Sequence, residues 1–261
     1  MCLSPVTSPQ RDTNDQRRAA NTAGMTISVI IPTFNEESAL PATLEHTFRL
    51  GFDEILVVDG GSSDRTRDIV LQFALAQTRA AITECPVLVI KAQPGRASQM
   101  NAAAELSHSD VLLFLHADTV LPKEARHRIV AALSDQSCVG GRFDVRFDRP
   151  TKLGGIISMM MNIRSRISGI ATGDQAIFVR REVFERMRGY SPIPLMEDLD
   201  FTRRLKKQGR VAAMRETVTT SYRRWEQHGP ARTIVRMWSI RLLYWLGVSP
   251  HVLSRFYTDA R

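Results

Sequence analysis

The sequence predicts an α/β protein with a mostly parallel sheet flanked by helices and a helical tail at its C-terminus. Three observations carry that expectation. Short, continuous apolar runs of four or five residues recur through the first half of the chain, as in strands buried on both faces. Helical patterns alternate with them, which is the signature of βαβ units. Each run also ends in polar or glycine-rich sequence, so those ends should line one edge of the sheet, where open α/β sheets bind ligands.

The elements follow in order. Residues 1–24 are rich in Ser, Thr, Pro, Asn, Asp and Arg without periodicity, the composition of a disordered tail. Met25 stands just before the first strand and is an alternative first residue. Ile27–Ile31 is a strand, followed by Pro32, Thr33, Phe34, Asn35 and Glu36 and then a helix to about Leu50. Glu54–Val58 is a second strand, broken by Asp59, Gly60 and Gly61 before a helix to about Ala76. In that loop Asp59 can accept hydrogen bonds from a base or ribose, the glycines let the backbone approach a ligand, and Asp64 reads as a helix cap. Val87–Ile90 is the third strand, and Pro94-Gly95-Arg96 turns into a helix at Ala97–Leu106. Val111–Leu115 is the fourth, ended by His116, Ala117 and Asp118. A carboxylate directly after a core strand must cap a helix, be paired or hold a cation.

Beyond Pro122 the expected elements are a helix at Lys123–Leu133 and a strand at Val139–Phe147. A helix at Leu153–Ile170 carries Met159, Met160 and Met161, and a short strand covers Ala176–Val179. A helix at Asp198–Gln208 follows the Glu197-Asp198 pair, then come strands at Val211–Met214 and Val218–Tyr222. The last expected helix, Thr233–Leu246, bears too many large apolar residues for one narrow stripe and has Arg232, Arg236 and Arg241 interspersed. It suits a membrane interface, a core position or a dimer contact.

With 261 residues, 43% hydrophobic and 24% charged, the chain has the balance of a soluble globular protein. Its net charge of +8 favours anionic partners. The three cysteines, Cys2, Cys85 and Cys138, have no metal-ligand spacing and read as reduced thiols. No run reaches the ~18 apolar residues of a membrane span, and no signal core is present. Cytoplasmic location, with possible peripheral attachment to the inner face of the membrane, is the expectation. There is no phosphate loop, no Gly-x-Gly-x-x-Gly fingerprint and no nucleic-acid module.

Six segments occur in order: ISVIIPTFNE, VVDGGSSDRT, PGRASQMNAA, FLHADTVLP, GDQAIFVRREVF and MEDLDFTRRL. Together they resemble a family 2 glycosyltransferase of the GT-A (Rossmann-like) fold over about Thr26 to Tyr257. The tail Ser221-Tyr222-Arg223-Arg224-Trp225 with Gly247-Val248-Ser249-Pro250 is similar to the bacterial branch of radical-SAM/selenodomain-associated transferases. The resemblance implies a glycosyltransferase domain at 25–229 and a helical segment at 230–261, packed on the domain or at a membrane surface. It implies a metal-dependent inverting transfer from a nucleotide-diphosphate sugar to a sugar or lipid-linked acceptor. A sugar nucleotidyltransferase and a non-catalytic binding protein are the alternatives.

Carried over residue by residue, the resemblance puts Pro32, Thr33, Asn35, Glu36, Asp59, Gly60, Gly61, Arg96, Asn101, His116 and Ala117 at the donor. Asp118 matches the last aspartate of the Asp-x-Asp metal motif and would hold Mn²⁺ or Mg²⁺; His116 stands where that motif begins with aspartate. Asp198 matches the general base, with Glu197 as the other candidate. Trp225 is a candidate for stacking on the acceptor and His228 for the metal shell.

Overall fold

The computed structural model describes residues 24–79 and 85–257, apart from the side chains at 224, 227 and 228. The tail before residue 24 and the imidazole of His228 therefore lie outside the described residues.

Eight strands form one sheet in the order β3-β2-β1-β4-β7-β6-β8-β5. They are β1 (Ile27–Thr33), β2 (Glu54–Asp59), β3 (Val87–Lys91), β4 (Val111–Phe114), β5 (Thr119–Val120), β6 (Cys138–Phe147), β7 (Ile177–Arg180) and β8 (Arg210–Thr220). Between them lie α1 (Leu40–Phe48), α2 (Thr66–Arg79), α3 (Arg96–Leu106), α4 (Ala125–Leu133), α5 (Lys152–Ser168), α6 (Arg181–Arg186) and α7 (Glu197–Leu205). The C-terminal part holds α8 (Arg223–His228), α9 (Pro230–Trp245) and α10 (Pro250–Arg255).

The apolar runs are continuous because successive side chains enter two different cores. Ile27, Val29, Ile31, Val111, Leu113 and Leu115 pack on one face of the sheet. Ile30, Leu112 and Phe114 pack on the other. There Phe114 meets Tyr190 edge-on, and Tyr190 stacks on Phe201 with ring centroids 4.2 Å apart.

The first half is parallel, as expected. β1 pairs with β2 and β4, and β2 with β3. The second half is mixed: β7 runs antiparallel to both β4 and β6, while β8 is parallel to β6 and antiparallel to β5. Several features differ from the sequence expectation, the short helix α8 among them. The strands expected at 211–214 and 218–222 are one strand, because a register shift opposite Arg142 and Asp144 absorbs the polar interruption. The two-residue strand β5 and the short helix α6 lie below the length at which periodicity gives a signal.

The antiparallel strand β7 decides what reaches the functional edge. Its first residue, Ile177, pairs with Phe114 at the end of β4. The segment Gly173–Gln175, a 3₁₀ turn just before β7, therefore arrives beside His116 although it precedes its strand. The close β6–β7 approach requires glycine at 140 and 141, where a Cβ would lie 2.4 Å from the Phe178 carbonyl oxygen and ring respectively.

The C-terminal helices return to this same edge. Ile240 of α9 and Leu253 of α10 pack with Ile170, Leu195, Met196 and Leu199, the apolar surroundings of the α7 N-terminus.

Candidate active site

The loops after β1 and β2 are stitched together by side chains. Asn35 accepts from Ser63 N and Oγ, and its own N–H donates to Ser62 Oγ. Glu36 N donates to Thr66 Oγ1, Glu37 N to Asp64 Oδ2, and Arg65 N to Glu37 Oε2. Asp64 also accepts from Thr66 N, so it serves both as the expected cap of α2 and as a brace to the first loop. Asn35 adopts φ 55° and Gly61 φ 95°, left-handed conformations that these two residue types accept readily.

Asp59 is almost fully buried and accepts from the N–H groups of Gly61 and Ser62. Thr33 Oγ1 donates to the Val58 carbonyl, and Gly60 N–H to the Thr33 carbonyl. Gln99, part of the PGRASQMNAA segment but given no role there, donates from one amide nitrogen to the carbonyls of Thr33 and Val58 and locks the two strand ends together. Asn101 clamps the backbone of Tyr190, donating to its carbonyl and accepting from its N–H, each at 2.9 Å. These residues tie the ends of β1 and β2 to the neighbouring loops, and none of them lines the large cavity described next.

That cavity, of about 410 Å³, lies at the carboxyl edge between the sheet, α5, α7, α8 and α9. Arg96, His116, Asp118, Glu197 and Asp198 line it. Pro32 and Tyr190 border a small recess shared with Arg96, His116, Glu197 and Asp198, and Ala117 is buried in the core. Arg96 Nη2 donates to the His116 ring, 2.8 Å from Nε2. Arg96 Nη1 is 3.6 Å from Glu197 Oε1, and Glu197 is buried. Burial by itself would lower the Arg96 pKa, but the carboxylates of Glu197, Asp198 and Asp118, with Tyr257, hold it above its ordinary value. The guanidinium is a fixed cation among acids.

Asp198 is held differently. Its Oδ2 accepts from Gly173 N–H and its Oδ1 from Leu199 N–H, both at 2.8 Å. Each oxygen keeps a lone pair for a third partner. The residue before the pair, Met196, has φ 68°, a left-handed strain of order 1–3 kcal/mol that packing must offset. It turns the chain so that Glu197 goes under Arg96 while Asp198 joins the Gly173 turn.

Glu36 faces Asp118 across the edge. Burial raises its pKa, and Asp118 raises it further, while Arg223 and Arg96 oppose. Arg223, from the tail motif, sits 3.6 Å from Glu36 Oε2 and donates to Ser38 Oγ. Glu36 Oε2 is buried without a hydrogen-bond partner. A divalent cation fits this acidic corner, with oxygen ligands from Asp118, donor phosphates and water. Among the described residues no group of three or more His, Cys, Asp or Glu side chains is arranged to hold a metal, so protein ligands alone do not complete such a shell.

Trp225 stacks on Tyr222 with an interplanar angle of 11° and meets Phe147 edge-on, while also lining the cavity. Met160 and Met161 line it as well. Periodicity gave no sign of Arg164, which enters the same wall from the methionine-rich face of α5. The run Met159–Ile167 carries two arginines, and the structure separates them: Arg166 pairs with Asp144 while Arg164 lines the cavity.

The sequence profile described as Glycosyl transferase family 2 matches residues 28–190. The chain belongs to that family. It is 31% identical over 201 residues to the probable glycosyltransferase YdaM of Bacillus subtilis, covering 70% of this chain and 47% of that protein. It is 31% identical over 171 residues to an undecaprenyl-phosphate 4-deoxy-4-formamido-L-arabinose transferase of Pseudomonas paraeruginosa, covering 62% and 49%. The chain thus spans about half the length of these curated relatives. The mannosyltransferase PcManGT from Pyrobaculum calidifontis, solved with GDP-Man and Mn²⁺, superposes with a TM-score of 0.57 at 18% identity, covering 78% of this chain and 63% of that one. The family 2 chain therefore has the GT-A fold that its motifs led us to expect.

Proposed function

We propose that this family 2 chain is a metal-dependent inverting glycosyltransferase that moves a sugar from a nucleotide-diphosphate donor to an acceptor held in the 410 Å³ cavity. The observation that carries the reading is the convergence of Asp118, Arg96 and Asp198 on that one cavity from the segment after β4 and the N-termini of α3 and α7. Its motifs, the family match and the metal-bound structural neighbour support it.

In this reading the stitched loops after β1 and β2 receive the nucleoside. Asp118, with Glu36 close by, would hold Mn²⁺ or Mg²⁺. The cation supplies charge neutralisation at the donor diphosphate. Arg96, fixed by His116 and Glu197, offers a planar donor to the same leaving group. Asp198 accepts the proton of the acceptor hydroxyl as that oxygen attacks the anomeric carbon. Glu197 is the weaker candidate for base, because its carboxylate already faces Arg96 in a buried pair. One attack from the face opposite the leaving group inverts the anomeric centre and needs no covalent enzyme intermediate.

The acceptor is sugar or lipid-linked. No described helix is long and apolar enough to cross a membrane. Yet α9 buries only Thr233 and Ile240, leaving Val235, Trp238, Leu242 and Trp245 exposed. α5 exposes Ile156, Met159, Met160 and Ile163. These faces flank the cavity, and with net charge +8 they favour peripheral contact with an anionic leaflet.

The test is a thermal-shift panel of nucleoside diphosphates with and without Mn²⁺, followed by Mn²⁺-dependent hydrolysis of the matching sugar nucleotide. A panel in which no nucleotide shifts the melting temperature with metal would remove the proposal.

A further inference from the structure

The cavity has a second charged pole that the proposed transfer chemistry does not use. Arg164 on α5 and Arg241 on α9 both line it. Arg164 Nε and Nη2 and Arg241 Nε are buried with no hydrogen-bond partner. Neither side chain takes part in an ion pair of 4.0 Å or less among the described residues. Burial, followed by the repulsion of Arg241, pushes the Arg164 guanidinium down to about 10. Asp174 and Asp198 act on Arg164 in the opposite sense and from too far to pair. Two like charges with unsatisfied buried donors are costly and call for a counter-anion. The donor diphosphate has its own partners in Arg96 and the Asp118 corner. Around the two arginines the wall is apolar, made by Ile157, Met160, Met161, Leu195, Met237 and Trp238. Trp238 and Met160 are also exposed, so this end opens outward between α5 and α9.

We propose that Arg164 and Arg241 form the anion-binding pole of the acceptor cavity, and that the acceptor is an amphiphile whose phosphate-type oxyanion sits between the two guanidinium groups while its apolar chain runs along the methionine and tryptophan wall. This deepens the glycosyltransferase reading by assigning the class of acceptor. The anchored oxyanion fixes how far the acceptor reaches toward Asp198. Arg is suited to the task, since its planar fork binds oxyanions bidentately.

The test is a binding measurement without donor or metal, so its outcome is independent of whether transfer occurs. Decyl phosphate, below its micelle concentration, is titrated against the full chain and followed by tryptophan fluorescence or calorimetry. Decanol and inorganic phosphate form the other arms. Decyl phosphate should bind more tightly than decanol, and inorganic phosphate at equal concentration should not displace it. Arg164→Gln and Arg241→Gln should each weaken decyl phosphate by roughly 10- to 100-fold, the scale of a lost charged hydrogen bond, with decanol unaffected. Arg164→Lys should recover part of the loss. Without ligand, both Gln variants should melt at the same temperature as the parent or higher, because each relieves the repulsion of the pair. Equal binding of decyl phosphate and decanol would overturn the proposal, as would parental affinity in both Gln variants. Displacement by inorganic phosphate would make this a free-phosphate site, and a lower melting temperature in the Gln variants would make the arginines structural. Nucleotide binding in the same variants tests the glycosyltransferase reading separately.

Discussion

The backbone N–H of Gly173 donates to Asp198 Oδ2 at 2.8 Å, and the same glycine leaves room for His116, whose Nε2 would lie 2.4 Å from any Cβ placed there. One residue thus holds the candidate base and makes space for the imidazole that steadies Arg96. Gly173→Ala should keep the fold and cost about 1–3 kcal/mol, the usual range for overpacking. The cheapest relief is for His116 to swing off Arg96. Donor-dependent turnover should then fall by roughly tenfold or more, the scale of a disturbed oxyanion partner. Steady-state kinetics beside a melting curve checks both, and parental turnover would detach His116 from the mechanism.

Asp118→Asn should abolish Mn²⁺-dependent donor hydrolysis while the melting temperature stays near that of the parent. Asp198→Asn should bind donor nearly as before and lose turnover by roughly 10²–10⁴-fold, the contribution of a general base. Glu197→Gln should instead weaken donor binding, because it releases Arg96. If Glu197→Gln shows the pure turnover loss and Asp198→Asn does not, the two roles are exchanged.

Asn101 is expected from the family motif at the donor, but its carboxamide is spent on the Tyr190 backbone. Asn101→Ala should destabilise the protein by about 1–3 kcal/mol, the cost of leaving buried backbone groups unpaired. Nucleotide affinity measured by calorimetry should not change. A large loss of affinity with an unchanged melting curve would restore the donor role.

Burial pushes the Cys85 thiol up to about 11, with Asp53 and Glu54 adding to it. A raised thiol pKa keeps the native form protonated, so its contribution to stability holds below the unfolded thiol pKa and declines as pH rises past it. In a Cys2→Ser background, alkylation of Cys85 at pH 8 should be slower than that of free cysteine by roughly two orders of magnitude. The rate should climb with pH toward the shifted value. Fast labelling at pH 8 in the folded state would show that the thiol is accessible and ionised.

For the exposed apolar face of α9, co-sedimentation with vesicles containing anionic phospholipid is the check. Binding should weaken as salt rises, since screening shortens the reach of the arginines. The double change Leu242→Glu and Leu246→Glu should abolish it with no loss of folding. A chain that stays in the supernatant under every condition has a soluble acceptor or uses this face against a second copy.

The sequence by itself determined the first half of the sheet and which acids stand at its carboxyl edge. Runs such as Ile27–Ile31 and Val111–Leu115 are legible because a strand buried on both faces must be apolar throughout, and the polar residues after them then fall on one edge. Asp118 stood out because a carboxylate after such a strand needs a reason. The local alternation also exposed the strongly apolar character of α9. Tertiary structure alone decided the division of labour. Asn101 and Asp59 turn inward to backbone groups, Glu197 pairs with Arg96, and Asp198, held by the N–H groups of Gly173 and Leu199, lines the cavity. The antiparallel entry of β7, which delivers Gly173, depends on strand pairings more than 60 residues apart in sequence. The meeting of Arg164 with Arg241 joins two helices 77 residues apart. Such contacts leave no periodicity to read, because the energy that fixes them comes from packing the whole sheet and not from any single segment.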